Sequence, residues 1–171
     1  MWFDFVEHYP VLSAMCQFVV LGTLGEWFGT AVRKRGFVAF PPLMILEKMA
    51  IWAILGVMIK YVFVGFEGFV DTLMKEGMLP NLYRPFFISS FMNLLFGPVQ
   101  ITSHRVMDNL FKEVKSWKGL RGALFTILWF WIPAHTITFM MPRVWQMTLA
   151  AFWSGMLGVI MGFFNRKKRP S

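Results

Sequence analysis

Polar and charged side chains interrupt stretches that are otherwise apolar, and they are the residues with which this chain could do chemistry. A charge inside a hydrocarbon layer costs about 3 kcal/mol or more, so such groups must pair, reach the interface or line water. The sequence therefore predicts either a structural ion-pair network, for example Glu26 with Lys48 or Arg105, or a hydrated pore lined by the same groups. The candidate residues for both arrangements are Glu26, Glu47, Lys48, Asn93, Gln100, His104, Arg105 and His135.

Two of the histidines have neighbours that suggest a role. His104 and Asp108 lie one helical turn apart and could together hold a metal ion or a lipid headgroup, but two ligands are too few to specify a metal site. His135 follows Pro133, which frees a backbone carbonyl, so this position predicts either a packing kink or a polar pore lining. We expect no metal site and no cofactor.

Sequence motifs of the common enzyme classes do not occur in the chain. There is no His-Glu-x-x-His, Gly-x-Ser-x-Gly, Walker loop or dinucleotide fingerprint. The only cysteine, Cys16, has no second thiol to pair with inside the chain. We therefore expect a protein that is not an enzyme and has no catalytic residues.

Composition indicates the kind of elements that must position these polar groups. Hydrophobic residues make up 57% of the chain and charged residues 15%, whereas soluble domains contain about 25% charged residues. The mean hydropathy is +0.55. These values predict an all-α, polytopic transmembrane bundle of about five spans, forming one domain over residues 1–171.

The last third of the chain predicts a transmembrane helical hairpin. Residues 122–142 and 144–165 contain no Asp, Glu, Lys or Arg, and Arg143 alone separates them. Each run has the roughly 20 residues that a helix needs to cross a hydrocarbon core about 30 Å thick. One helix across both runs would overshoot the bilayer about twofold, so Pro142 and Arg143 are expected to form a turn.

Two further spans come first. The first covers residues 10–32. The second has two possible registers, about 41–60 or about 49–66, because Glu47, Lys48 and Lys60 interrupt its apolar residues. We favour one long helix that covers both registers and continues towards the acidic residues after Phe66.

A third span and an interfacial segment complete the expected architecture. The third span covers residues 86–103, where Pro98 predicts a kink. Residues 104–121 combine five basic residues with apolar residues at helical spacing. This pattern is typical of an amphipathic helix that lies in the membrane interface.

Basic residues predict the orientation of the bundle, because loops rich in Lys and Arg stay on the side that is not translocated. Clusters occur at residues 33–35, in the 104–121 segment and at residues 166–169. They share one side only if the chain crosses an odd number of times, which favours five spans and a C-terminus on the matrix or cytoplasmic side. We expect this basic face to bind anionic lipids, and we expect no nucleic-acid partner.

Glycines at helical spacing predict close contacts between helices. Gly25 and Gly29 are four residues apart, as are Gly158 and Gly162. Small residues at this spacing let another backbone approach closely. These faces could pack inside the bundle or against other membrane subunits or further copies of the chain.

Several stretches together resemble a known family. Gly22-Thr-Leu-Gly-Glu26 follows Tyr9-Pro10, and residues 36–42 run from a glycine to a proline pair. The segment from Asn93 to Pro98 is polar and then Gly-Pro. The most specific stretch is Trp129-Phe-Trp-Ile-Pro-Ala-His-Thr-Ile-Thr-Phe-Met-Met-Pro-Arg143, followed by a later tryptophan. These features resemble the Mpv-seventeen and peroxisomal membrane protein family.

The resemblance implies a small multi-pass protein of organelle membranes, with some members described as pore-forming. It carries the family's acidic position to Glu26, where Glu replaces the usual Asp. The family's Gln and Asn in the fourth helix fall near Thr136 and Thr138 in this sequence. The mitochondrial inner membrane is the expected location, with the peroxisomal or bacterial plasma membrane as alternatives.

Two functions of different classes follow from these observations. The first is a passive, weakly selective pore for small solutes or ions, lined by Glu26, Asn93, His104, Arg105 and His135. The second is an accessory structural subunit that packs its glycine faces against a larger membrane complex, such as a respiratory assembly. A pore requires polar faces that converge inside the protein, whereas a subunit requires dry interiors and apolar flanks covered by partners.

Overall fold

A computed structural model describes residues 2–164 of the chain, with side chains through residue 161. Within these residues there are six helices and no strand. We number them α1 (Trp2–His8), α2 (Pro10–Lys34), α3 (Pro42–Lys75), α4 (Asn81–Leu110), α5 (Leu120–Met140) and α6 (Arg143–Phe164). Helices α2 to α6 are each long and apolar enough to cross a membrane, which confirms the predicted transmembrane bundle of five spans. The basic cluster at 166–169 lies outside the described residues.

Helix boundaries follow from residues with restricted or unusual backbone geometry. Pro10 and Pro42 open α2 and α3, where a proline is tolerated because a first-turn amide has no helical partner. Gly77 and Gly119 adopt φ values of 73° and 83° in the connections after α3 and before α5, a region that glycine enters without steric cost. Pro142 separates α5 from α6, which confirms the predicted hairpin.

Helix α3 is a single element of 34 residues. It therefore covers both registers considered for the second span and continues through the acidic residues, as predicted. At a rise of about 1.5 Å per residue its length is about 51 Å, well beyond a hydrocarbon core of about 30 Å.

The predicted amphipathic helix over residues 104–121 is wrong. Residues up to Leu110 belong to α4, and residues 111–119 are not helical. Asn109 explains the stop, because its buried side chain donates to Ser116 O at 3.2 Å and accepts from Ser116 N at 3.0 Å. Such side-chain hydrogen bonds to the backbone compete with helix continuation. The basic residues of this segment therefore lie partly on a spanning helix and partly on a loop.

Two π turns accompany the prolines inside α4 and α5. The helix widens over Met92–Phe96, just before Pro98, and over Ile127–Trp131, just before Pro133. The irregularities expected at these prolines thus take the form of one π turn in each helix. Single π turns are frequent at functional sites, since they redirect neighbouring side chains.

Helix α2 packs along both α3 and α6, and α4 packs along α5. The α2–α6 contact is close because glycines face each other, and we call it the glycine seam: Gly25, Gly29, Gly155 and Gly158. A Cβ on Gly25 would lie 2.2 Å from Gly155 Cα, and one on Gly29 would lie 2.3 Å from Gly158 O. These glycines pack inside the chain, so they are not free for a partner subunit. The surroundings of Gly162 lie outside the described residues.

Candidate functional site

Five charged or titratable side chains meet where α2 ends, α3 begins and α4 ends. We call this group the charged cluster; its members are Glu26, Lys48, His104, Asp108 and Lys112. Lys48 Nζ lies 2.8 Å from Glu26 Oε2 and also contacts Asp108 Oδ1. Lys112 contacts the other oxygen of Asp108. The Glu26–Lys48 pair named from the sequence is therefore present, extended by a second carboxylate and a second lysine.

The second oxygen of Glu26 joins this cluster to aromatic side chains. Glu26 Oε1 accepts hydrogen bonds from Trp52 Nε1 and His104 Nε2, both at 3.1 Å. The Trp52 and His104 rings lie 5.0 Å apart. The side chain of Glu26 is 22% exposed, so its charge is held by three donors with little access from outside. Hydrogen bonds from ionised or polar donors offset much of the cost of burying a carboxylate.

Two of the charged residues predicted from the sequence do not belong to the charged cluster. Glu47 and Arg105 are neighbours in sequence of Lys48 and His104, but within the described residues the side chain of neither makes a hydrogen bond or an ion pair. Adjacent residues on a helix point about 100° apart, so a neighbour of an inward residue turns to another face. The structure thus pairs Glu26 with Lys48 and not with Arg105, and it places Glu47 outside the ion pairs of the charged cluster.

A second polar group lies between α4 and α5, and we call it the amide–histidine network: Ser89, Asn93 and His135. Asn93 Nδ2 lies 3.0 Å from His135 Nδ1 and donates to Ser89 O at 2.8 Å. Ser89 Oγ donates to Ile132 O at 2.7 Å. Asn93 lies within the π turn of α4, and its amide also approaches the carbonyl of Trp131 in the π turn of α5.

Aromatic rings enclose His135. The Trp131 ring stacks on it at 5.1 Å, and the Phe63 ring meets it edge-on at 5.6 Å. His135 is 8% exposed and Asn93 is 4% exposed. The histidine that the sequence predicted as a kink or a pore lining is thus a buried group with one polar partner and apolar walls.

The two polar groups share one face of α4. Ser89, Asn93, Gln100, His104 and Asp108, which we call the polar stripe, are separated by four or seven residues and so fall on one side of a helix. From Ser89 to Asp108 the stripe extends about 28 Å along the axis, close to the thickness of a hydrocarbon core, about 30 Å. Four of its members contact polar groups of α2, α3 or α5 inside the chain: Ser89, Asn93, His104 and Asp108.

Gln100 lies between the two groups on this stripe. Its Oε1 atom is buried and has no hydrogen-bond partner in the protein. An unpaired buried acceptor costs about 1–3 kcal/mol, so this position is poorly explained as a contribution to stability. Within the described residues, the buried side-chain polar atoms without a partner are Thr23 Oγ1, Ser90 Oγ, Gln100 Oε1 and Trp131 Nε1.

A third group of charges lies where α3 ends and α4 and α6 begin. Asp71 accepts two hydrogen bonds from Arg84, at 2.5 and 2.8 Å. Glu67 lies 3.4 Å from Arg143 and 4.0 Å from Arg84. We call this group the outer clamp. Its position, at the opposite ends of α3 and α4 from the charged cluster, is the arrangement that antiparallel spans require.

Sequence reasoning missed several contacts of this region. Trp52 was not considered because a tryptophan in an apolar run is usually a packing residue. Ser89 could have been found from the regular spacing that leads from it to Asp108. The Asp71–Arg84 pair has no such signal, since thirteen residues and a turn separate the two side chains.

The fold and the distribution of charge define an integral, multi-pass helical membrane protein. Within the described residues, no three His, Cys, Asp or Glu side chains are grouped so that they could hold a metal ion. Comparisons of the chain with protein-family models, with curated proteins and with solved structures find no match.

Proposed function

We propose that this protein is a non-enzymatic, passive pore for water and small polar solutes or ions, with the polar stripe as its conducting face. The observation that carries the proposal is the stripe itself. It extends about the thickness of a hydrocarbon core inside a single chain, and it joins the charged cluster to the amide–histidine network. A structural role alone would not call for polar groups at several levels of the bilayer, since each is costly there.

The unpaired Oε1 atom of Gln100 supports the same proposal. A solute or water that moves along the stripe would need an acceptor between His104 and Asn93, which are eleven residues apart. Gln100 supplies an acceptor in that interval without engaging it in the protein. Aromatic rings border both ends of this interval, Trp52 at His104 and the Phe63 and Trp131 rings at His135, the partner of Asn93.

The alternative, an accessory subunit of a larger membrane complex, loses the main feature that suggested it. Its predicted interfaces were the glycine faces, and Gly25, Gly29 and Gly158 are in contact within the chain. The exposed apolar residues of the bundle need no partner, since lipid covers such flanks. Association with other membrane proteins therefore stands as an outcome of the test.

The family and the membrane location that we propose for this protein are based on its sequence. The resemblance of the Trp129 to Arg143 stretch supports membership of the Mpv-seventeen and peroxisomal membrane protein family and a place in the mitochondrial inner membrane. The charged loops support a basic face towards the matrix or cytoplasm that contacts anionic lipids. Arg33, Lys34, Arg35, Lys115 and Lys118 are exposed at the end of the bundle that holds the charged cluster.

Flux measurements on the purified full chain in liposomes test the proposal. We expect passage of small polar solutes that Glu26→Gln and His135→Ala each reduce, since both substitutions alter side chains in contact with the stripe. Glu47→Gln is the matched control, because this substitution removes the same charge as Glu26→Gln but from a side chain outside the charged cluster. Purification as part of a stable assembly, together with no flux through the protein alone, would instead establish the subunit role.

A further inference from the structure

The ionic groups of the charged cluster balance one another. Glu26 and Asp108 supply two negative charges, and Lys48 and Lys112 supply two positive charges. The formal charges of these four groups therefore sum to zero. A pore mouth lined by carboxylates alone would concentrate cations, so this balance has a consequence for what can pass.

Lys48 is the more buried of the two lysines in the charged cluster. Its side chain is 14% exposed, against 43% for Lys112. It reaches from α3 and contacts a carboxylate of α2 and another of α4, whereas Lys112, in the loop after α4, contacts only Asp108. The ammonium group of Lys48 therefore occupies the place between two carboxylates where a free cation would otherwise be attracted.

We infer that Lys48 is the selectivity-determining residue of the pore: its tethered positive charge, in contact with Asp108 of the polar stripe, keeps the pore from selecting mobile cations. This inference rests on the proposed pore. It assigns the permeant class more narrowly, to water and other small polar species that pass without strong preference for either sign of charge. Because Lys48 acts on permeants through its positive charge, removing that charge is expected to favour cations over anions.

This inference is tested by measuring the reversal potential of the full chain in planar bilayers under a potassium chloride gradient. Removing Lys48 charge by Lys48→Met leaves one net negative charge and should raise the ratio of cation to anion permeability roughly tenfold or more. Glu26→Gln leaves one net positive charge and should shift the ratio the other way. The double variant Glu26→Gln with Lys48→Met restores a net charge of zero and should return the reversal potential to the wild-type value.

Lys60→Met is the matched control, because Lys60 lies on the same helix but outside the charged cluster, and it should leave the reversal potential unchanged. If Lys48→Met does not fold, Glu26→Gln and the double variant decide the question. If the single variants Lys48→Met and Glu26→Gln conduct but keep the wild-type reversal potential, the assignment of Lys48 is overturned while the pore remains intact. Absence of any wild-type conductance would overturn the proposed function and this inference together.

Discussion

The glycine seam and the polar stripe are both interior faces of the same bundle, but they achieve contact by opposite means. The seam brings two backbones together by having no side chains, and a Cβ on Gly25 would lie 2.2 Å from Gly155 Cα. The stripe fills its interface with polar side chains and leaves Gln100 Oε1 without a partner. The difference teaches that the α2–α6 contact is built for tight packing, whereas the face of α4 carries polar groups that packing does not require.

The buried amide of Gln17 on α2 differs from that of Gln100 on α4. Gln17 accepts a hydrogen bond from Thr148 of α6 at 2.6 Å and donates to Ser13 at 2.9 Å. Both ends of this buried amide are therefore satisfied within the protein. Satisfied buried networks stabilise one arrangement of helices, and partly satisfied ones do not.

The largest effect is expected from breaking the seam. Gly25→Leu should lower the free energy of unfolding by about 3 kcal/mol or more, because the new side chain meets backbone atoms that cannot rotate away. Unfolding in detergent would measure this loss. Gly65→Leu in α3 is the control, since a Cβ there meets nothing within 4 Å. Equal stability of the two variants would show that the α2–α6 contact is not close.

The amide–histidine network should have a smaller but coupled effect. Asn93→Leu and His135→Leu should each lower the free energy of unfolding by about 1–3 kcal/mol, since each leaves a buried polar partner unpaired. A double-mutant cycle should give a coupling free energy of about 1 kcal/mol. The cycle of Asn93→Leu with Gln17→Leu should be additive, because these residues belong to separate networks.

Substitution of Gln100 tests most directly whether the polar stripe serves permeation or packing. Gln100→Leu should raise the free energy of unfolding by about 1 kcal/mol, because it removes an unpaired buried acceptor. The same change should reduce solute flux in liposomes, since it places an apolar group in the middle of the polar stripe. A stabilised variant with undiminished flux would contradict the role proposed for the stripe.

Gln146 provides the matched substitution for this experiment. Its side chain donates to Met141 O at 3.2 Å and lies at the start of α6, so it is not part of the polar stripe. Gln146→Leu should therefore lower stability by about 1 kcal/mol and leave flux unchanged. The opposite signs of the two stability changes make the pair informative.

The smallest effect is expected at the outer clamp. Asp71→Asn should lower the free energy of unfolding by about 0.5–1 kcal/mol at low salt and by less at high salt, because the Asp71–Arg84 pair is exposed. Arg143→Ala should have almost no effect, since the Arg143 side chain is 82% exposed. Unfolding measured at two salt concentrations would reveal a difference, and a salt-independent loss for Asp71→Asn would count against an ionic origin.

The spans were largely predictable because charge-free runs of membrane length have few alternatives to a helix. Arg143 between two such runs identified the hairpin, and the cost of a charge in lipid identified the Glu26–Lys48 pair. The 111–119 loop was not predictable, since helical periodicity there competes with the Asn109–Ser116 hydrogen bonds, which depend on tertiary structure. The Asn93–His135 contact joins residues 42 apart, and sequence spacing alone does not reveal which helices are neighbours.

Helix α3 carries charges that fix its position relative to lipid. Lys48 is held in the charged cluster near one end, and Asp71 is held by Arg84 near the other. These two residues are about 35 Å apart along the axis, a few ångströms more than an average hydrocarbon core. The distance between these two residues therefore sets the bilayer thickness that α3 matches without tilting. In a thinner membrane we expect the helix to tilt, and in a thicker one we expect the bilayer to thin locally around it. Either adjustment costs fractions of a kcal/mol for each ångström of mismatch.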